Sequence, residues 1–171
     1  PHIVRLYGIS VDAPYCMVLE FMDKGSLRQL LDTHTTDTLD WDIKVGFAIS
    51  IAKGLAYLHQ QKPMIIHGRL NSLNIMVNNN NEAKLTYYGI AALIIDDGSR
   101  EYVAYDQEKA NRAMKSLLWL APELFRLNAK RTTSSDIFSI AIVFWEIASH
   151  LLPYLSAEGN ITLIKDWIKA G

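Results

Sequence analysis

Apolar and polar positions recur along this chain with periods that lay out its elements. Residues 3–9 (IVRLYGI) and 15–21 (YCMVLEF) are rich in β-branched and aromatic side chains and are split by SVDAP, a turn signal. The pattern predicts two adjacent antiparallel strands. DKGS interrupts it, and Ser26 is placed to cap a short helix, LRQLLD, whose Leu27, Leu30 and Leu31 recur at helical spacing. Ile43, Phe47, Ile51, Leu55 and Leu58 stripe one face of residues 41–60. That period predicts a long amphipathic helix. QQKP ends it, because Pro63 pushes Lys62 out of helical backbone.

Two further runs, IMV and AKLTYYG, flank NNNNE and predict a hairpin, since Asn tolerates left-handed backbone. Residues 90–120 show neither period, and a loop of that length within a compact domain is usually functional. APELFR reads as a helical turn. SSDIFSIAIVFWEIASH, with Ser135 as its candidate cap, reads as a central helix buried nearly all round. NITLIKDWIKAG is a last amphipathic helix. With no repeat and no linker, one folding unit is expected.

Composition narrows the function classes. Half of the 171 residues are hydrophobic and a fifth are charged, the profile of a globular core. Seventeen basic residues against eighteen acidic ones give no charge asymmetry, which argues against a nucleic-acid partner. The longest apolar run, IFSIAIVFWEIA, contains Glu146 and is too short for a bilayer, so no membrane contact is expected within this segment. PHIVRLYGIS has neither the basic nor the apolar region of a signal peptide. Beginning without Met inside a strand pattern, the chain reads as a piece of a longer protein. Cys16, within an apolar run, is expected to be a buried structural thiol in a reducing compartment.

Candidate chemistry gathers at His67–Asn74, HGRLNSLN, between the long helix and the IMV run. The stretch resembles the catalytic loop H-R-D-L-x-x-x-N of eukaryotic-type protein kinases. Other segments agree in order. MVLEFMDKGSL resembles the strand, hinge and helix at the nucleotide site, and KLTYYGIA the strand ending in D-F-G. LLWLAPEL resembles the A-P-E segment, and SSDIFSIAIVFWEI the central helix after it. The likeness is to the tyrosine-kinase-like group and covers nearly the whole chain.

It implies an α+β, kinase-like fold. Residues 1–25 would be the end of the N-lobe and the hinge. Residues 26–171 would be the C-lobe, truncated before its last helices. The phosphate loop, the strand-three Lys and its Glu helix find no counterpart in this sequence.

Register with the family motifs implies the site residues. Gly68 takes the place of the motif Arg, Arg69 that of the catalytic Asp, and Asn71 that of the usual Lys. Tyr87 stands for the metal-binding Asp of D-F-G, and Asn74 matches the metal-binding Asn. Arg has five donors and no acceptor, so Arg69 cannot act as a base. Tyr87 is neutral at pH 7 and a poor magnesium ligand, so Mg2+ is disfavoured and Asn74 is at most its residual ligand.

Leu6, His67, Tyr88 and Asp136 match the family's stacked core column. Gly89 and Glu123 match further structural positions. Leu19 matches the gatekeeper, the backbone of Glu20 and Met22 would meet an adenine edge, and Met76 would pack beneath it. No cofactor is assigned, and ATP binding stays open. Ser99, Tyr102, Tyr105 and Ser116 are candidate phosphorylation sites.

The reading implied is a pseudokinase scaffold or allosteric signalling module. One alternative is a weakly active or unconventional Ser/Thr or Tyr kinase. Another is the kinase-homology domain of a receptor guanylate cyclase-like protein, whose degenerate motifs HG-x-L-x-S-x-N and YYG are similar to. The expected partners are other signalling proteins, an active kinase or an appended enzyme domain. The expected location is the cytoplasm, or the cytoplasmic portion of a receptor.

Overall fold

In the computed structural model, residues 1–11, 16–36, 38–87, 116–157 and 160–170 are described. The first two apolar runs form antiparallel strands β1 (Leu6–Ile9) and β2 (Met17–Leu19), with an irregularity between Leu6 and Gly8. Both are shorter than the runs that encode them. Much of the ribbon is bare: Leu6, Tyr7, Ile9, Met17 and Val18 are exposed. Cys16 is exposed too, which corrects the expected buried thiol; nothing described packs over that end of the ribbon.

Helix α1 (Leu27–Thr33) begins where the sequence places it. Ser26 Oγ accepts from the Gln29 amide, and the Gln29 side chain accepts in return from the Ser26 amide. That reciprocal pair satisfies two of the donors that every helix start leaves open. Helix α2 (Trp41–His59) is capped by Asp40 and buries Phe47, Ile51, Leu55 and Leu58, with Ile43 packed at the edge.

Gly54 stands within α2 for a steric reason. A Cβ there would lie 2.7 Å from the His2 carbonyl and 3.2 Å from the Leu85 side chain. The N-terminal segment therefore lies directly on the helix. It also bonds β4 at Leu85, through Val4 N to Leu85 O and Leu85 N to His2 O.

The Asn-rich turn closes the expected hairpin of β3 (Ile75–Val77) and β4 (Ala83–Leu85), with Asn81 in left-handed backbone. Alternate residues of both strands point into the core: Ile75, Val77, Ala83 and Leu85 are all buried. Short 3-10 turns at Leu117–Trp119 and Pro122–Phe125 lead to helix α3 (Thr133–Ser149).

Two expectations for α3 need correction. Its N-cap is Thr132, in extended backbone, while Ser135 is the third helical residue and answers Thr132 in a capping box. The helix is also one-sided. Ile137 and Trp145 are exposed, while the buried face mixes Ile140, Val143 and Ile147 with Ser135, Asp136, Ser139 and Glu146. Helix α4 (Ile161–Ala170) packs Ile164 and Ile168 against Phe125, Phe138 and Tyr154. No helix among the described residues is long and apolar enough to cross a membrane.

Candidate functional site

The 67–74 loop is held to α3 at two points. At its start, Asp136 accepts from the amides of His67 (2.9 Å) and Gly68 (2.8 Å), and from the His59 ring on α2 (2.9 Å). At its end, Ser72 Oγ donates to Glu146 at 2.8 Å. Ten helical residues separate the two carboxylates, about 15 Å along the axis, so the loop is stretched across the helix.

Between those ties the loop holds its own shape. Leu70 is buried. Asn71 Oδ1 accepts from the amides of Leu73 and Asn74, both at 3.0 Å, and so starts the 3-10 turn Ser72–Asn74. The Asn74 side chain donates back to the Arg69 carbonyl at 2.7 Å. Asn74 thus serves the backbone with its amide nitrogen.

Glu146 centres a buried polar cluster that the sequence registers only as a charge within an apolar run. Its carboxylate accepts from Arg28 Nη1 (3.0 Å) on α1, from Trp119 Nε1 (2.6 Å) and from Ser72. Arg28 also donates to the His150 carbonyl and pairs with Asp32. Burial raises the Glu146 carboxyl above the usual range, against these hydrogen bonds, which lower it.

His67 is fully buried. Burial pushes its pKa down to about 4 against the field of Asp136, so the ring is neutral at pH 7. Its Nδ1 accepts from the Arg69 amide, and Nε2 is sealed from solvent without a hydrogen bond.

The side chains implied for chemistry lie on the open side. Arg69 and Tyr87 are exposed and Gly68 is half-buried. Gly68 has φ 72°, and Arg131, just before α3, donates its Nε to the Gly68 carbonyl at 2.6 Å. Nothing in the sequence pairs these two residues, since the acceptor is a backbone atom 63 positions away.

Tyr87 has φ 59°, left-handed backbone that suits Gly, Asn or Asp and strains a Tyr. Tyr87→Asn is therefore expected to raise the unfolding free energy by about 0.5–1 kcal/mol. A urea midpoint that stays or falls would show that no strain resides there.

At the hinge positions, the Glu20 amide donates to the Arg5 carbonyl, and the Met22 carbonyl accepts from Gly25. Lys84 pairs with the Glu20 side chain and holds its carboxyl below the usual range. Met22 is buried, and Leu19 and Met76 are partly so. Leu6 is half exposed, and nothing described covers that face of β1. His67 and Asp136 do meet, through the His67 amide. Glu123 makes no ion pair among the described residues. Ser116 directly precedes the 117–119 turn. Tyr88, Gly89, Ser99, Tyr102 and Tyr105 lie outside the described residues.

Known proteins agree with this layout. The family model for protein tyrosine and serine/threonine kinases matches residues 1–165. A probable serine/threonine-protein kinase of Dictyostelium discoideum is 34% identical over 95% of this chain and 15% of its own length. The stress-activated protein kinase alpha of the same organism is 30% identical over 88% of the chain and 22% of its own length. Ankyrin repeat and protein kinase domain-containing protein 1 of Mus musculus is 32% identical over 96% and 21%. The chain thus spans about a fifth or less of the length of these curated relatives. By the family match and the order of its elements, this chain belongs to the eukaryotic-type protein kinase superfamily, with the family's α+β fold.

Proposed function

We propose that this kinase domain segment works as a pseudokinase, a scaffold or allosteric module that regulates signalling partners rather than transferring phosphate itself. One observation carries the reading. The two positions that register as carboxylates in the family hold Arg69 and Tyr87, while the scaffold carboxylate Asp136 is committed to two backbone amides and His59. Phosphoryl transfer in this family needs a base for the substrate hydroxyl and a hard oxygen ligand for the metal. Loss of base catalysis alone costs ~10²–10⁴ in rate. A cation at Arg69 also opposes any magnesium ion nearby, by roughly 4 kcal/mol per unit of the ion's charge at 4 Å and an effective dielectric of 20.

Adenine recognition is a separate matter in this reading. It requires a hinge backbone and an apolar floor, and Leu19, Glu20, Met22 and Met76 keep both types of group. A nucleotide held there would act as a regulatory ligand rather than a substrate.

Relatives that are named as probable serine/threonine-protein kinases favour a second reading, a serine/threonine kinase with unconventional catalysis. In it, Arg69 would stabilise charge on the transferred phosphoryl group directly. A transfer assay with γ-labelled ATP on the full-length protein separates the two. Wild type is expected to show no magnesium-dependent transfer above background, and Arg69→Asp with Tyr87→Asp to gain it or to gain magnesium binding. Robust wild-type turnover that Arg69→Asp reduces would establish the second reading instead.

A further inference from the structure

The Gly68–Arg69 peptide gathers two guanidinium groups. Arg69 carries one of them, and Arg131 brings the other to the carbonyl of that same peptide. Arg131 spends only its Nε–H there, so the rest of its fork has no partner among the described residues. The Arg69 side chain makes no hydrogen bond or ion pair among them either. Residue 68 has no side chain to fill the space beside the two.

Like charges are costly to keep together unless something offsets them. Burial, and after it the field of Arg69, lowers the pKa of Arg131. The carboxylate that acts against this is Asp136, and its oxygens are occupied by the amides of His67 and Gly68 and by the His59 ring. Two guanidinium groups facing one carboxylate leave positive charge at this point of the loop. Pinning the loop would need one donor from Arg131. It does not account for a second, unengaged guanidinium at the adjoining residue.

We propose that Arg69 and Arg131 form a binding site for a phosphomonoester dianion, held by the two forks without a metal ion. Planar guanidinium groups match phosphate oxygens two at a time, and two of them supply charge enough for a dianion. The phosphate can come from a phosphorylated side chain or from the end of a nucleotide. The site deepens the reading of Arg69 as a cation in the cleft but does not depend on the absence of transfer.

The test is calorimetric titration of the chain at constant ionic strength with inorganic phosphate, O-phosphoserine, and ATP in excess EDTA, with chloride as control. Saturable phosphate binding is expected, weakened roughly tenfold or more by Arg69→Gln, given the usual strength of charge-assisted hydrogen bonds. Arg69 is exposed and its own chain bonds are backbone ones, so Arg69→Gln leaves folding intact. Arg131→Lys keeps the charge and the loop contact but loses the fork, and is expected to weaken binding as well. Arg126→Gln, at an exposed arginine elsewhere, should change nothing.

O-phosphoserine binding that depends on Arg69 assigns the site to phosphorylated side chains. Dependence seen only with ATP assigns it to nucleotide. Absence of binding in all three arms, or binding that survives both Arg69→Gln and Arg131→Lys, overturns the proposal. Either result is independent of whether transfer activity is found.

Discussion

Glu146→Ala is expected to lower the unfolding free energy of this chain by about 3–5 kcal/mol, the usual loss when one partner of a buried ion pair is removed. The substitution strands Arg28, whose side chain is 5% exposed, and takes the acceptor from Trp119 Nε1 and Ser72 Oγ as well. Urea unfolding followed by tryptophan fluorescence would measure it, with Trp119 itself as a reporter. Arg28→Met with Glu146→Met should recover part of the loss, since replacing both charges by apolar groups removes the uncompensated cation. Recovery stays partial because Trp119 and Ser72 remain unpaired. A single-variant loss under ~1 kcal/mol would show that the cluster contributes little beyond packing.

Acidification is the second large effect. His67 titrates near 6.5 when unfolded and near 4 when folded. Between those values the unfolded state binds a proton that the native state does not, so stability falls as pH drops from 6.5 and the loss is complete near pH 4. The difference amounts to about 3 kcal/mol. Urea midpoints at pH 7, 5.5 and 4 would trace it, and His67→Phe should flatten that part of the profile. Equal slopes in wild type and variant would assign the acid sensitivity to other groups.

The parts of the fold legible in the sequence are those governed by neighbours a few residues away. Ser26 announces the start of α1, and the capping box that it forms with Gln29 spans only three positions. The α2 stripe and the Asn-rich hairpin follow from periods of 3.6 and 2. The errors arise where a distant segment decides. Cys16 sits in a run that looks like core, yet burial depends on what packs over a strand, and nothing described does. Ser135 is as good a cap residue as Thr132, and only the backbone turn at Thr132 separates them.

The candidate site divides the same way. Arg69, Asn71, Asn74 and Tyr87 were reachable because the family motif fixes their register. Arg131, Arg28 and the reach of Glu146 were not, because their partners lie 63, 118 and 74 positions away in sequence. A spacing rule carries no information about such contacts.

The two carboxylates on α3 have a consequence for how this domain can change over generations. Asp136 and Glu146 secure the 67–74 loop from behind, through amides and Ser72, and neither uses the side chain of residue 69 or 87 to do so. Replacements at those cleft positions thus leave the anchorage untouched, so selection on the loop's attachment exerts almost no pull on them; at residue 87 foldedness acts only through the left-handed backbone. Lineages can gain or lose cleft chemistry while the architecture persists. The sequence record of Arg69 and Tyr87 consequently reports what the cleft is used for, and that of Asp136 and Glu146 reports only that the domain folds.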